Sequence, residues 1–273
     1  MQNQAIRRQY DQVIAPHYDL DPQAIIGRSL DRALDQLRAQ HLVSNRSARV
    51  KVLDVGIGTG LFLAKLKVLS GAQIQPFGLD LSEKMIEIAR QKMPDLIAEV
   101  DDAANLEDHF GDQAFDLICT HFITGFVPVD VLAPKIYGRL EPGGYWSLVG
   151  GTKAGFPALQ AKANSPLLRR LCGGRGVSVD NSVCNPADGA EVVQTLEIHG
   201  FTIRAAETFE PALKFRNFDE FMTVAYKGGW LTPFVEALGL HRAKPATRWL
   251  LNLFFFPAED HHCIEIVLAQ KAK

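Results

Sequence analysis

Between residues 50 and 150, short apolar runs alternate with segments whose apolar residues recur at helical spacing. The apolar, β-branched runs predict strands at residues 50–55, 73–79, 96–100, 114–120 and 145–149. The periodic segments between them predict helices at residues 61–69, 82–93 and 129–140. Alternation of this kind is typical of an α/β fold with a mostly parallel sheet and helices on both faces.

The chain on either side of this region follows a different pattern. Residues 1–47 predict a helical front piece, and after residue 150 the regular alternation breaks. The later segments predict, in order, a loop region with a helical piece at 156–171, a helix at 186–199, a strand at 201–209, aromatic-rich helices at 215–256 and a last strand at 263–269. We therefore predict a lid over residues 1–47 and one domain over residues 48–273, with cap insertions at about 151–185 and 211–261.

The first predicted strand ends in a glycine-rich turn that leads directly into a helix. Gly56, Gly58 and Gly60 alternate with other residues there. Glycine allows positive φ and close approach of a ligand, and the start of a helix offers unpaired N–H groups. The third glycine comes one residue too early for the Gly-x-Gly-x-x-Gly pattern of dinucleotide sites, and the Gly-Lys-Ser/Thr of a P-loop is absent.

Asp80 ends the second predicted strand, twenty residues after Gly60. A carboxylate at that position can accept hydrogen bonds from both hydroxyls of a ribose. Nicotinamide enzymes and S-adenosylmethionine (SAM) enzymes share this feature. It therefore indicates a nucleoside ligand without deciding which one.

Five segments in order resemble motifs of the class I SAM-dependent methyltransferases, in particular those that act on small molecules. They are LDVGIGTG at residues 53–60, GLDLSEKM at 78–85, DAANL at 102–106, FDLICT at 115–120 and LEPGG at 140–144. Ahead of them, YDQVIAPHYD at residues 10–19 resembles the entry segment that packs as a lid over the cofactor in that family. The resemblance covers roughly residues 5–150 and the final two strands.

The resemblance implies a Rossmann-like, seven-stranded, mostly parallel sheet whose antiparallel last strand inserts between strands five and six. It also implies SAM as the cofactor. The residues expected at the cofactor are Tyr18, Asp54, Gly56, Gly58, Gly60, Asp80, Leu81, Met85, Asp102, Ala103 and Thr120. The adjacent pair Asp101 and Asp102 leaves the adenine-binding position uncertain by one residue.

Methyl transfer needs an aligned nucleophile and, for some acceptors, a base that removes a proton. His121 follows a strand at the crevice where ligands bind in such sheets, so it is the first candidate for a catalytic residue, and His17 is a second. His261 and His262 stand beside acidic residues and are expected at the surface. No Cys-x-x-Cys pair and no acidic cluster is present, so no metal site is predicted.

Charge and composition narrow the range of partners. The 273 residues are 47% hydrophobic and 22% charged, with a net charge of −2, so nothing favours a nucleic acid or an anionic membrane. The first eleven residues lack the apolar core of a signal peptide, and no run is long enough to span a membrane. We expect a cytoplasmic protein, monomer or homodimer, without stable membrane insertion.

Large rings crowd the segment between residues 209 and 256, which favours a small, apolar or aromatic methyl acceptor. Most of these rings are expected to form a satellite core, and Phe254–Phe256 could touch a lipid surface. The alternatives are an NAD(P)-dependent oxidoreductase, a non-catalytic SAM-binding protein and a protein or RNA methyltransferase. The acceptor and the methylated atom stay open.

Overall fold

The computed structural model describes residues 2–42, 49–70, 73–163, 166 and 184–273. The strands are β1 Val50–Val55, β2 Ile74–Asp80, β3 Ile97–Val100, β4 Phe115–His121, β5 Leu140–Gly151, β6 Phe201–Phe209, β7 Ala212–Phe215, β8 Ala258–His261 and β9 Ile264–Lys271. The α-helices are α1 Gln2–Gln9, α2 Ile25–Ala39, α3 Leu61–Ser70, α4 Glu83–Lys92, α5 Val129–Arg139, α6 Pro157–Ala163, α7 Gly189–Ile198, α8 Phe218–Met222, α9 Thr232–Ala237 and α10 Pro245–Phe255.

Seven strands form one sheet in the order β3-β2-β1-β4-β5-β9-β6. β1 pairs in parallel with β2 and β4, and the parallel pairing continues to β3 and β5. β9 lies antiparallel between β5 and β6. This confirms the predicted Rossmann-like fold with an inserted antiparallel last strand. The strand order reverses between β1 and β4, and a crevice opens at the carboxyl ends of the strands at such a point.

Both faces of the sheet are covered, which is why its central strands are apolar almost throughout. Val52 of β1 belongs to a core with α2 and α3, whereas the next residue, Leu53, belongs to a second core with α5 and α7. Trp146 of β5 is fully buried and donates its indole N–H to Thr120 Oγ1 at 2.8 Å. The two cores hold the ends of β1, β2 and β4 at fixed positions.

β5 begins at Leu140, five residues before its predicted start. Leu140 pairs with Phe115 and Tyr145 pairs with Leu117, so the register shifts and residues 141–144 are accommodated as an irregularity inside the strand. Gly143 adopts a positive φ of 77° there. The Pro-Gly-Gly segment predicts a turn that ends the preceding helix, and it does end α5, but the chain stays extended beyond it.

The segment after β6 is more divided than its sequence predicts. β7 and β8 form a separate two-stranded sheet that the apolar pattern did not indicate. The helices between them are short because Gly229 and Gly239, both at positive φ, interrupt the predicted helical stretch. The predicted helix at 156–171 is observed as α6, and residues 164–165 and 167–171 lie outside the described part of the chain.

The front piece contains α1, a π-helical turn at Tyr10–Ile14, a 3₁₀ turn at Tyr18–Leu20 and α2. The predicted lid boundary at residues 47 and 48 lies outside the described residues, so the domain division stays a prediction. No helix in the described part of the chain combines the length and the apolar character required to cross a membrane.

Candidate functional site

The glycine turn after β1 is held by hydrogen bonds to the end of β2. The Gly56 N–H donates to Leu79 O at 2.7 Å, and the Gly58 N–H donates to Asp80 Oδ2 at 2.8 Å. Gly56, Gly58 and Gly60 have positive φ values of 77°, 54° and 75°. The turn needs the left-handed conformation three times within five residues, which explains its composition.

Both carboxylate oxygens of Asp80 are positioned by main-chain donors. Oδ2 accepts from Gly58, and Oδ1 accepts from Ser82 N at 2.8 Å. Burial raises the pKa of Asp80 to about 6, although these two hydrogen bonds lower it, and the nearby Asp11 raises it further. The carboxylate is therefore fixed in orientation at the edge where the strands end, and it lines the cavity described below.

Asp54 of β1 lies just before the glycine turn. Its side chain is only 2% exposed, and its Oδ1 atom has no hydrogen-bond partner among the described residues. Burial, with a smaller contribution from Asp80, raises the pKa of Asp54 to about 8. The carboxyl group is thus mostly protonated at neutral pH, because an ionised carboxylate without a partner is costly to bury.

The turn after β3 carries the acidic pair expected at the adenine. Asp101 accepts from His109 Nε2 at 2.9 Å, and His109 Nδ1 lies 2.5 Å from Glu99. Burial alone would lower the pKa of His109, but the hydrogen bonds to the two carboxylates outweigh it and raise that pKa. Asp102 Oδ1 accepts from Ala104 N at 2.9 Å and begins the 3₁₀ helix that follows.

Two aspartates of the front piece form hydrogen bonds to the glycine turn after β1 and to the turn after β2. Asp19 Oδ1 accepts from the Thr59 hydroxyl inside the glycine turn at 2.5 Å, and its other oxygen pairs with Lys92. Asp11 Oδ1 accepts from the Ser82 hydroxyl, directly after Asp80, at 2.5 Å. These contacts place the front piece over the carboxyl ends of β1 and β2.

A cavity of about 470 Å³ opens between the front piece and these strand ends. Tyr10 and Tyr18 form part of its wall, and burial raises the pKa of both phenols above the ordinary value. The cavity brings together most of the residues that the sequence predicts at the cofactor or as base, namely Tyr18, Gly56, Gly58, Asp80, Leu81, Met85, Asp102, Ala103 and His121.

Four predicted site residues lie away from the cavity wall. Gly60 is a packing residue, since a Cβ there would come 2.8 Å from Met93 Cε. Thr120 accepts the hydrogen bond from the Trp146 indole, and Asp54 lies under the glycine turn. His17 Nδ1 lies 2.9 Å from Val13 O and its ring is turned toward the front piece.

His121 is the last residue of β4, and its side chain lines the cavity. The side chain is 6% exposed, with Nε2 3.1 Å from Ser147 Oγ and the ring edge-on to Phe62 at 4.2 Å. Its Nδ1 has no partner among the described residues. Burial lowers the pKa of His121 to about 3, so the ring is neutral at physiological pH and is a weak base.

A second, smaller cavity of about 110 Å³ adjoins the first, and both are lined by Tyr10, Tyr18, Phe122, Phe126 and Gly229. Aromatic rings and His262 supply much of its wall. The expectation that His262 lies at the surface is wrong: its side chain is 4% exposed. Many of the rings after residue 208 are buried, among them Phe209, Phe215, Phe218 and Phe221, but they belong to the core that also contains α2 and α3, so the expectation of a satellite core is wrong.

Sequence reasoning missed several residues that build the site. Tyr10, Asp11 and Asp19 all belong to the doubled Tyr-Asp pattern of the front piece, from which only Tyr18 was selected. A signal for the two aspartates was therefore present in that repeat. Trp230, by contrast, follows two glycines in a broken helical stretch, and nothing local marks it as a cavity residue.

No group of three or more His, Cys, Asp or Glu side chains is placed to hold a metal ion within the described ranges. The polar groups at the cavity include the fixed carboxylate of Asp80, the side chains of Asp101, Asp102 and Glu236, and tyrosine hydroxyls. A carboxylate fixed at this edge, with the glycine turn beside it, matches a ligand with neighbouring hydroxyls such as a nucleoside.

Comparison with known proteins finds a family model that matches the same region. Residues 52–144 match the family model described as a methyltransferase domain. A demethylmenaquinone methyltransferase from Chlorobaculum parvum is 30% identical over 149 residues, which are 51% of this chain and 57% of the relative. The chain spans about half the length of the curated relatives it matches.

Solved structures share the fold over most of the chain. A Bacillus halodurans C-125 protein superposes with a TM-score of 0.57 at 16% identity, covering 88% of this chain and 99% of its own. Magnesium protoporphyrin IX methyltransferase from Synechocystis PCC 6803, crystallised with bound SAH, superposes with a TM-score of 0.52 at 14% identity. The match covers 90% of this chain and 86% of that protein. At such identities the likeness concerns the fold.

Proposed function

We propose that the chain is a class I SAM-dependent methyltransferase and transfers a methyl group from SAM to an O, C or N atom of a small, apolar or aromatic metabolite, since its residues 52–144 match a methyltransferase-domain family model. The proposal depends on one observation: the glycine turn donates a hydrogen bond from Gly58 to the carboxylate of Asp80, and both residues line a cavity of about 470 Å³. The Chlorobaculum relative's name gives a small-molecule acceptor, which supports that class of substrate.

The residues present fit an adenosyl sulfonium ligand. Asp80 offers a carboxylate for the ribose hydroxyls, and Asp102 and Ala103 line the cavity where the adenine would lie. The unpartnered Asp54 Oδ1 leaves a buried polar atom close to the turn that would hold the methionine end. The inserted antiparallel β9 also distinguishes this sheet from the 3-2-1-4-5-6 order of dinucleotide-binding folds, which disfavours an NAD(P)-dependent oxidoreductase.

When bound, SAM supplies a methyl group already activated on a sulfonium. The protein's own residues then have to align the acceptor, exclude water and stabilise the positive charge. Tyr10, Tyr18 and Phe122 line both cavities, so their ring faces can lie close to that charge as well as to the acceptor. Neutral His121 is the proposed proton acceptor where the acceptor loses a proton, while His17 is proposed as the second candidate.

Incubation with methyl-labelled SAM and a metabolite extract, followed by mass spectrometry, tests the activity. We expect the label on a small apolar compound, whereas a protein that binds SAM without turnover would leave every metabolite unlabelled. A thermal-shift comparison of SAM with NAD(P) distinguishes a methyltransferase from an oxidoreductase, because only the true cofactor raises the melting temperature.

We further propose that the protein is a cytoplasmic monomer or homodimer. The net charge of −2 gives no electrostatic reason to expect a nucleic-acid partner.

Replacement of Asp80 by alanine should weaken SAM binding by about 5- to 150-fold, since it leaves the Gly58 and Ser82 donors and the ribose hydroxyls unpaired, at about 1–3 kcal/mol. Because burial raises the pKa of Asp80 to about 6, wild-type affinity should also fall as pH drops below that value. Calorimetric titration measures both. The exposed Asp112→Ala variant is the control, and equal affinity of Asp80→Ala and wild type would remove the ribose assignment.

His121→Ala should slow turnover and leave SAM affinity nearly unchanged. Because the pKa of His121 is about 3, the rate of the wild type should show no limb from this group between pH 5 and 8. Single-turnover kinetics across that pH range, with SAM affinity measured alongside, check both statements. Turnover equal to wild type in His121→Ala would exclude the residue as base.

A further inference from the structure

The smaller cavity is lined by His262 and by two buried threonines, Thr124 and Thr152, whose hydroxyl oxygens have no hydrogen-bond partner among the described residues. His262 lies between β8 and β9 and is 4% exposed, and within the described chain its ring is hydrogen-bonded through Nδ1. Thr124 is only 1% exposed. Unsatisfied polar atoms in a buried position are rare in folded proteins, so the two threonine hydroxyls indicate a ligand that completes them.

The tautomer of His262 follows from its neighbours. The Cys263 N–H donates to His262 Nδ1 at 3.0 Å, and a ring nitrogen that accepts a hydrogen bond carries no proton. The neutral ring therefore carries its proton on Nε2. Burial, with a smaller effect of His261, lowers the pKa of His262 to about 3, so this neutral form persists at physiological pH.

Two glycines and two rings fix the orientation of the imidazole. A Cβ on Gly151 would come 2.7 Å from its Cε1 atom, and a Cβ on Gly155 would come 2.5 Å from its Nδ1 atom. Phe156 packs against the ring at 4.4 Å, and Trp230 meets it edge-on at 5.1 Å. The Nε2–H group is thus a donor of fixed orientation in a cavity whose wall combines aromatic rings with the polar residues Thr124, Thr152, Lys153, Gln160 and Asn185.

We propose that the smaller cavity holds the methyl acceptor and that His262 selects acceptors in which a flat, apolar skeleton carries an oxygen able to accept a hydrogen bond. The inference rests on the proposed function, because the cavity adjoins the one assigned to SAM through Tyr10, Tyr18 and Phe122. A volume of about 110 Å³ suits a ring system of one or two rings. The aromatic walls favour a flat molecule, and the histidine donor favours a carbonyl or similar oxygen over a hydrocarbon.

The test compares two probes of equal skeleton, 1-tetralone and tetralin, which differ in one carbonyl oxygen. Ligand-observed NMR titrations are carried out on the full chain saturated with S-adenosylhomocysteine. We expect 1-tetralone to bind wild type about fivefold or more tightly than tetralin, and His262→Phe to abolish that preference. His262→Gln, whose amide keeps a donor, should retain part of it.

A second measurement does not depend on any variant folding. Long-range ¹H–¹⁵N spectra of the wild type should show His262 protonated on Nε2 from pH 5 to 8, with the Nε2 signal shifting as 1-tetralone is added. Equal binding of the two probes, no binding of either, or a proton on Nδ1 would overturn the proposal. If S-adenosylhomocysteine itself does not bind, the proposed function fails instead, so the two failures are distinguishable.

Discussion

Gly56→Ala should lower the free energy of unfolding by about 2–5 kcal/mol and abolish measurable SAM binding. Two costs add at this position. The backbone φ of 77° is unfavourable for any residue with a Cβ, by about 1–2 kcal/mol. The new Cβ would also lie 2.1 Å from Ile123 Cγ2, and such overpacking costs typically about 1–3 kcal/mol. Relief of the contact would move the turn away from the Gly58–Asp80 hydrogen bond, which positions the ribose carboxylate.

Gly111→Ala is the matched control for that substitution. Gly111 also has a positive φ, 56°, but no atom lies within 4 Å of a Cβ placed there. It should therefore show the conformational cost alone, about 1–2 kcal/mol, with SAM binding intact. Urea unfolding and calorimetric SAM titration of both variants decide the matter. Equal losses of stability in the two variants would show that contact with Ile123 contributes nothing.

The strands of the seven-stranded sheet could be predicted because each has a recognisable apolar pattern within its own sequence. β1 and β6 have the predicted bounds, since each is a continuous or alternating apolar run between clear breaks. β7 and β8 could not be predicted, because each has four residues and its pairing partner lies more than forty residues away in the sequence. A strand of that length has little pattern of its own, and only the tertiary pairing stabilises it.

The candidate site divides in the same way. Gly56, Gly58 and Asp80 could be placed together because parallel strands bring their carboxyl ends to one edge. Burial of His262 could not be predicted from its acidic neighbours. One of those neighbours, Asp260, is itself buried and accepts from the N–H groups of Ala158 and Leu159 at the start of α6, which only the fold shows.

The second large effect is expected from Asp54→Asn, as a change in how stability depends on pH. Burial holds the pKa of Asp54 near 8, whereas the ordinary pKa of an aspartate is 3.8. The folded state therefore binds a proton that the unfolded state releases, and this contribution is fully present below pH 3.8 and is lost as pH rises through about 8. Asparagine does not titrate, so the variant lacks this loss.

Between pH 5 and 8, the wild type should lose up to about 4 kcal/mol of unfolding free energy relative to Asp54→Asn, at about 1.4 kcal/mol per pH unit. Urea unfolding of both proteins across that range measures the difference, and titrations common to the two proteins cancel in it. The exposed Asp112→Asn variant should track the wild type at every pH. Parallel curves for wild type and Asp54→Asn would mean that Asp54 is ionised in the folded protein, so that its unpartnered Oδ1 belongs to a charge and not to a neutral acid.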